Sequence, residues 1–134
     1  MTGLVLKLGP RERILINGAV IENGDRRSRL NIVTPNAHIL RLKDAIHPEE
    51  ADTPVRRVCY VTQLVLSGDV DAAEGGGQIA RGIAQLSKVL RDDDSAARLR
   101  SAAKHLAAGQ FYQVLKALRG LLPIEAELLG GDQA

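Results

Sequence analysis

Aromatic side chains are nearly missing from this 134-residue chain: there is no Trp, one Phe and two Tyr. Tyr60, Phe111 and Tyr112 all lie in the second part of the sequence, so residues 1–48 carry no Phe, Tyr or Trp. That excludes a stacking platform in the first part, because such modules hold unstacked bases on aromatic faces. Cysteine is equally scarce. Cys59 stands alone, which rules out an intramolecular disulfide and fits a reducing compartment. No apolar run approaches the roughly 18 residues needed to cross a bilayer. The first ten residues hold one Lys and no sustained apolar stretch, so a secretory leader is not expected. These absences describe a cytoplasmic protein without a membrane partner.

Charge is present but unevenly placed. Residues 1–48 contain eight basic and four acidic groups, a net +4, whereas residues 49–134 contain ten basic and twelve acidic groups, a net −2. A basic head on a weakly acidic body points to a polyanionic partner for the head alone.

Head and body also differ in period. Leu4, Leu6 and Leu8 alternate with Val5 and Lys7 until Gly9-Pro10 breaks the run. Ile14–Ile16 and Ala19–Ile21 flank Asn17-Gly18, a strong hairpin signal because both residues tolerate positive φ. A second pair, Asn23-Gly24, precedes Arg26, Arg27 and Arg29 and predicts a second tight turn, at which Gly24 would need positive φ. Ser28, Leu30 and Ile32 then alternate with Arg27, Arg29 and Asn31. After Thr34-Pro35-Asn36, Leu40 and Leu42 alternate with Arg41 and Lys43. Since strand side chains repeat every two residues, the leucines share a core and Lys7, Arg27, Arg29, Arg41 and Lys43 collect on one basic side. The head therefore reads as a five-stranded antiparallel β-meander or small barrel.

A polar connector, residues 49–54, offers Asp52 or Thr53 as an N-cap ahead of Pro54. Beyond it the period is helical over residues 55–134. Val55, Val58, Cys59, Thr62, Val65 and Leu66 form one apolar stripe. Ile79, Ile83, Leu86 and Leu90 mark a second helix whose start is weakened by Gly75-Gly76-Gly77. Leu99, Ala103 and Leu106 mark a third. Phe111, Val114, Leu115, Leu118 and Leu122 mark a fourth that stops before Pro123, leaving a polar C-terminal tail. About four helices with short connections predict an antiparallel bundle. The fold class is α+β, with the β-rich head first and the bundle after it.

Candidate chemistry is thin. His38, His47 and His105 have no partners at metal-ligand spacing, and no zinc-binding motif occurs. His47 reads as a solvated loop residue. Cys59 sits inside an apolar helical stripe and reads as a buried free thiol. The glycine triplet lacks the Lys-Ser/Thr of a phosphate loop and reads as a flexible helix start. Neither a catalytic residue nor a metal or cofactor site is predicted, and the chain does not read as an enzyme.

The sequence resembles the FlbT family of flagellar regulators. The resemblance lies in Asn17-Gly18-Ala19-Val20-Ile21, continuing into Asn23-Gly24-Asp25-Arg26-Arg27. It extends through Leu42–Ile46, Pro48-Glu49, Thr53–Arg57 and Gln63-Leu64, and returns in Gly109–Arg119. It implies post-transcriptional control of flagellin through the 5′ untranslated region of its mRNA, typically by promoting decay, although some members act positively. If the head meets that RNA, Arg26, Arg27 and Arg29 are the leading contacts through bidentate phosphate binding, with Arg41, Lys43 and Lys7 positioning the backbone. So small a footprint calls for modest affinity, a homo-oligomer, or presentation by a second protein. A competing reading is a protein-binding adaptor or chaperone for flagellin or another flagellar regulator, using Phe111, Tyr112 and Leu115 as a groove for a partner helix.

Overall fold

The computed structural model describes residues 4–42 and 45–130. Its elements run β1 (Leu4–Leu8), β2 (Arg13–Ile16), β3 (Ala19–Glu22), β4 (Ser28–Ile32) and β5 (Ile39–Arg41). A 3-10 turn (Pro48–Glu50) follows, then α1 (Pro54–Leu66), α2 (Ala72–Val89), α3 (Asp93–Ala107), α4 (Phe111–Arg119) and α5 (Leu122–Gly130). The class is α+β, with antiparallel strands first and helices after. Two compact units result: one reaches to Ala45 and includes Ser67–Asp69, and the other holds Ile46–Leu66 and the chain from Val70 onward.

In the first unit the strands form two small antiparallel sheets, β1-β4 and β3-β2-β5, and no closed barrel. The connectivity is thus not a simple meander, because β4 returns to β1 and β5 returns to β2. Leu6 and Leu8 of β1 and Ile14 of β2 are buried together, with Ile16, Leu30, Ile32 and Ile39 packed around them. That is the alternation the sequence carries, with the inner faces of both sheets supplying one apolar core. Leu15, opposite Val20 and Leu40, is fully buried as well, so β2 is covered on both faces.

The two Asn-Gly pairs behave differently. Asn17 and Gly18 have φ of 49° and 83° and join Ile16 to Ala19 as a two-residue hairpin. Here glycine is required twice over, because a Cβ on Gly18 would also collide with the Asp69 carboxylate. Asn23-Gly24 forms no such hairpin: Gly24 has no positive φ, and a Cβ there would meet nothing within 4 Å. The predicted second tight turn is corrected accordingly. Asn23 serves instead through its side chain, as described below.

In the second unit α1 packs on α2, α2 on α3, α3 on α4, and α4 back on α1. Thr53 Oγ1 accepts from Arg56 N and so caps α1. The carboxylate of Glu125, a buried side chain on α5, accepts from Thr53 Oγ1 at 2.5 Å and from Val55 N at 2.9 Å. A negative group thus satisfies orphan donors at a positive helix end. Gln63, also buried, clamps the connector by accepting from Ile46 N and donating to Ile46 O, both at 2.8 Å.

The glycine triplet is not a helix start. Asp71 caps α2 ahead of it, accepting from Ala73 N and Glu74 N, and the helix runs through all three glycines. A Cβ on Gly75 would lie 2.3 Å from Val65 Cγ2, and one on Gly82 would lie 2.5 Å from Val58 Cγ2. Two valines one heptad apart on α1 therefore sit in two glycine notches one heptad apart on α2, running antiparallel. Pro123 does not end the helical part either. It occupies the first turn of α5, where its missing N–H has no helical partner to lose.

Two glycine pairs test this packing in denaturant melts. Gly18→Ala should cost about 1–3 kcal/mol for its positive φ alone, and Gly24→Ala should be close to neutral. Gly75→Ala should cost about 1–3 kcal/mol by overpacking, whereas Gly76→Ala, whose nearest neighbours lie at 3.9 Å, should be neutral or stabilising by up to about 1 kcal/mol. Equal effects within either pair would contradict the packing described.

Candidate nucleic-acid interface

The β1-β4 register sets Lys7 directly opposite Arg29. Leu6 and Leu30 point to the core, so by strand parity Lys7 and Arg29 project together from the outer face, and both are exposed. Directly opposite like charges destabilise a sheet by a few tenths of a kcal/mol, so this pair has no stability rationale. Arg27 joins them at a surface depression of about 390 Å³ lined by Lys7, Leu8, Gly9, Arg27, Ser28 and Arg29. Arg26 is exposed one residue before the group. Among the described residues no ion pair engages Lys7, Arg26, Arg27 or Arg29.

The loop that delivers Arg26 and Arg27 is held by Asn23. Its Nδ2 donates to Gly9 O at 2.7 Å, to Arg26 O at 2.8 Å and, more weakly, to Leu8 O at 3.4 Å. Its Oδ1 accepts from Ser28 Oγ at 2.7 Å. Backbone bonds from Asn23 N to Glu12 O and from Arg11 N to Gly24 O complete the fastening. One carboxamide therefore ties the end of β1 to the start of β4, and the cations at both places are brought side by side.

Arg41 has a different position from the one its alternation predicts. Its Nη2 donates to Lys7 O and to Glu12 Oε2, both at 2.7 Å, and its Nε donates to Glu12 Oε2 at 3.2 Å. Glu12, largely buried, uses its other oxygen to accept from Gly9 N at 2.9 Å. The guanidinium thus links the two sheets, and its charge is already answered. Arg11 and Arg13 are likewise paired, Arg11 with Asp25 at 2.5 Å and Arg13 with Glu22 at 2.9 Å. Lys43 lies outside the described residues. Of the six cations singled out in the sequence, Lys7, Arg27 and Arg29 share one depression, Arg26 adjoins them, and Arg41 stands apart in an ion pair. The sequence offered a signal for Arg41: Glu12 follows a Gly-Pro turn, but its partner is 29 residues away.

The proposed partner-helix surface on α4 does not hold together. Leu115 is buried in the bundle with Val114 and Leu118, Phe111 is half-buried, and Tyr112 alone is well exposed. Leu115 is therefore corrected to a core residue, because it shares the inward stripe of α4. The histidines have local roles. His47 Nδ1 accepts from Glu49 N and caps the 3-10 turn, His38 N donates to Asn17 Oδ1, and His105 Nδ1 bonds Gln110 Oε1 at 2.7 Å. Burial pushes the Cys59 thiol up to about 12, with Arg119 opposing and Glu125 reinforcing that rise. Such a thiol is protonated at neutral pH and is no nucleophile. No group of three His, Cys, Asp or Glu side chains among the described residues is placed to hold a metal ion. No helix among them is long and apolar enough to cross a membrane.

Among the described residues, a strand-rich unit bearing a basic depression without an ion pair precedes a helical unit, which defines the class; comparison with known proteins supplies the family. The profile of the family described as "Flagellar protein FlbT" matches residues 4–129. A Caulobacter sp. (strain K31) "Probable flagellum biosynthesis repressor protein FlbT" is 32% identical over 127 residues, covering 95% of this chain and 96% of that one. The Caulobacter vibrioides (strain ATCC 19089) "Flagellum biosynthesis repressor protein FlbT" is 32% identical, covering 95% and 89%. The Chelativorans sp. (strain BNC1) relative of the same probable description is 33% identical, covering 96% and 86%. This chain belongs to the FlbT family. No solved structure matches it.

Two expectations follow from the site. Arg41→Ala should cost about 1–2 kcal/mol in a denaturant melt, as a charged hydrogen-bonded link, whereas Arg29→Ala should stay within about 0.5 kcal/mol; the reverse order would contradict the assignment. Cys59 should resist alkylation until the chain unfolds. Because its folded pKa lies above the unfolded one, its contribution to stability is complete below about pH 9 and declines as pH rises toward 12. A Cys59→Ala variant should flatten that alkaline decline.

Proposed function

We propose that this protein is a post-transcriptional repressor of flagellum biosynthesis that binds the 5′ untranslated region of flagellin mRNA and promotes its degradation. The observation that carries the reading is the Lys7–Arg29 cross-strand pair with Arg27 at one depression. Three cations converge there on an outer sheet face, with no acidic partner among the described residues. The family supplies the pathway, since its curated relatives are named as repressors of flagellum biosynthesis.

The chemistry of the contact follows from the side chains present. With no Phe, Tyr or Trp among residues 1–48, the large ring faces of a base-stacking platform are missing. Arginine forks suit phosphate oxygens bidentately and can lie flat on an unpaired base, and Lys7 adds a point charge. Such contacts favour a single-stranded or looped leader, whose phosphates and base faces are accessible together. Asn23 acts as a positioning residue: it makes no RNA contact but fixes the spacing of the cations. Arg41 keeps β5 and β1 in place and stands behind the interface.

Salt dependence tests this directly. Four contacts, from Lys7, Arg26, Arg27 and Arg29, give a log–log slope of about −2.8, or about a fiftyfold loss of affinity between ~50 and ~200 mM salt. Removing Lys7, Arg27 and Arg29 together should leave a slope of about −0.7 in a protein that still melts cooperatively. Asn23→Ala should weaken leader binding and flatten the slope although no charge is lost. A slope near zero with wild-type protein, or an unchanged slope in the triple variant, would overturn the reading. Tight, salt-resistant binding to flagellin that Tyr112→Ala abolishes would favour an adaptor instead.

A further inference from the structure

The helical unit carries an open groove between α1 and α2, about 470 Å³ in volume. Val58, Val61 and Leu86 make its apolar floor, and Val89 stands on its rim with 70% of its surface exposed. Arg57 from α1 and Arg81 from α2 flank it, both exposed and, among the described residues, both without an ion pair. The glycine notch at Gly82 lets the two helices approach closely beneath this groove.

The same unit also displays a projection of matching chemistry. On α5, Leu128 and Leu129 are 64% and 54% exposed, and Glu127 beside them is exposed with no ion pair among the described residues. An adjacent leucine pair facing water on a short helix is a surface that no contact among the described residues explains. Its attachment is firm, because Glu125 binds Thr53 and Val55 on either side of Pro54, and Pro54 lines the groove. The helix that bears the leucines is thus anchored at the end of α1 from which the groove begins.

We propose that a second copy of this chain occupies the groove, with the Leu128-Leu129 end of its α5 on the floor and its Glu127 between Arg57 and Arg81. Two features select this occupant over an unrelated one. The charges are complementary, two cations around an apolar floor and one carboxylate beside an apolar pair. Groove and projection also share the start of α1, where Glu125 holds α5 and Pro54 lines the groove, so a two-fold axis lets each copy insert α5 into the other and closes the assembly as a dimer. Val89, Leu128 and Leu129, three of the four exposed large apolar side chains of this unit, leave water together.

Sedimentation equilibrium of the full chain without RNA provides the test. Wild-type protein should be a dimer, and Leu128→Asp with Leu129→Asp should be monomeric while retaining a cooperative melt. Arg81→Glu and Glu127→Arg, both at exposed positions, should each weaken dimerisation by about tenfold or more at low salt. Mixing those two variants should restore a heterodimer, because one junction then carries the exchanged pair and the other carries the original pair. A monomeric wild type, a dimer unaffected by these changes, or a mixture that fails to associate would each overturn the proposal. Since no RNA is present, the outcome is independent of the messenger-binding reading.

Discussion

The basic surface of this protein depends on one carboxamide. Asn23 donates to the carbonyls of Gly9 and Arg26 and accepts from the Ser28 hydroxyl, joining the exit of β1, the loop after β3 and the entry of β4. Only an uncharged side chain with both donors and an acceptor can do this. Asp would lose the donors, and a longer Gln would displace the loop. Once the loop is fixed, strand pairing sets Lys7 against Arg29, and Arg27 joins the same depression. The like charges gathered there cost some stability, and on the proposed reading the messenger's phosphates neutralise them.

A second linkage makes that arrangement durable. Glu12 receives Gly9 N on one oxygen and Arg41 on the other, and Arg41 also reaches Lys7 O. The carboxylate is largely buried and the guanidinium half-exposed, so the pair is shielded better than a surface bridge and worth more than the usual fraction of a kcal/mol. The effect is that the two-stranded ribbon and the three-stranded sheet of the first unit share more than their apolar core. In the second unit the Glu125 carboxylate and the Gln63 amide play comparable parts, each satisfying backbone groups far away in sequence.

What the sequence disclosed follows a physical division. Strand alternation in Leu4–Leu8 and Ser28–Ile32, the Asn17-Gly18 hairpin and the apolar periods of the first two helices are local patterns, and all of them are found in the structure. What was hidden depends on distant partners. Arg41 reads as one more surface cation until Glu12 is placed beside it, and Asn23 reads as turn chemistry until its side chain is seen to bridge two strands. Gly75 looks like a weak helix start because the Val65 methyl that requires it lies on another helix. Leu115 sits next to the exposed Tyr112, and only the packing of α4 separates their roles. The fold class was therefore legible, as was the clustering of Lys7, Arg27 and Arg29, whereas the separate pairing of Arg41 was not.

On the proposed reading, flagellin leader RNA lies on the outer face of the β1-β4 ribbon. Photo-crosslinking of a labelled leader to the full chain, with the attached residues identified by mass spectrometry, tests it most directly. Adducts are expected on the peptides containing Lys7 and Arg26–Arg29, suppressed by excess unlabelled leader. Adducts confined to α1–α5, with none on those two peptides, would contradict it.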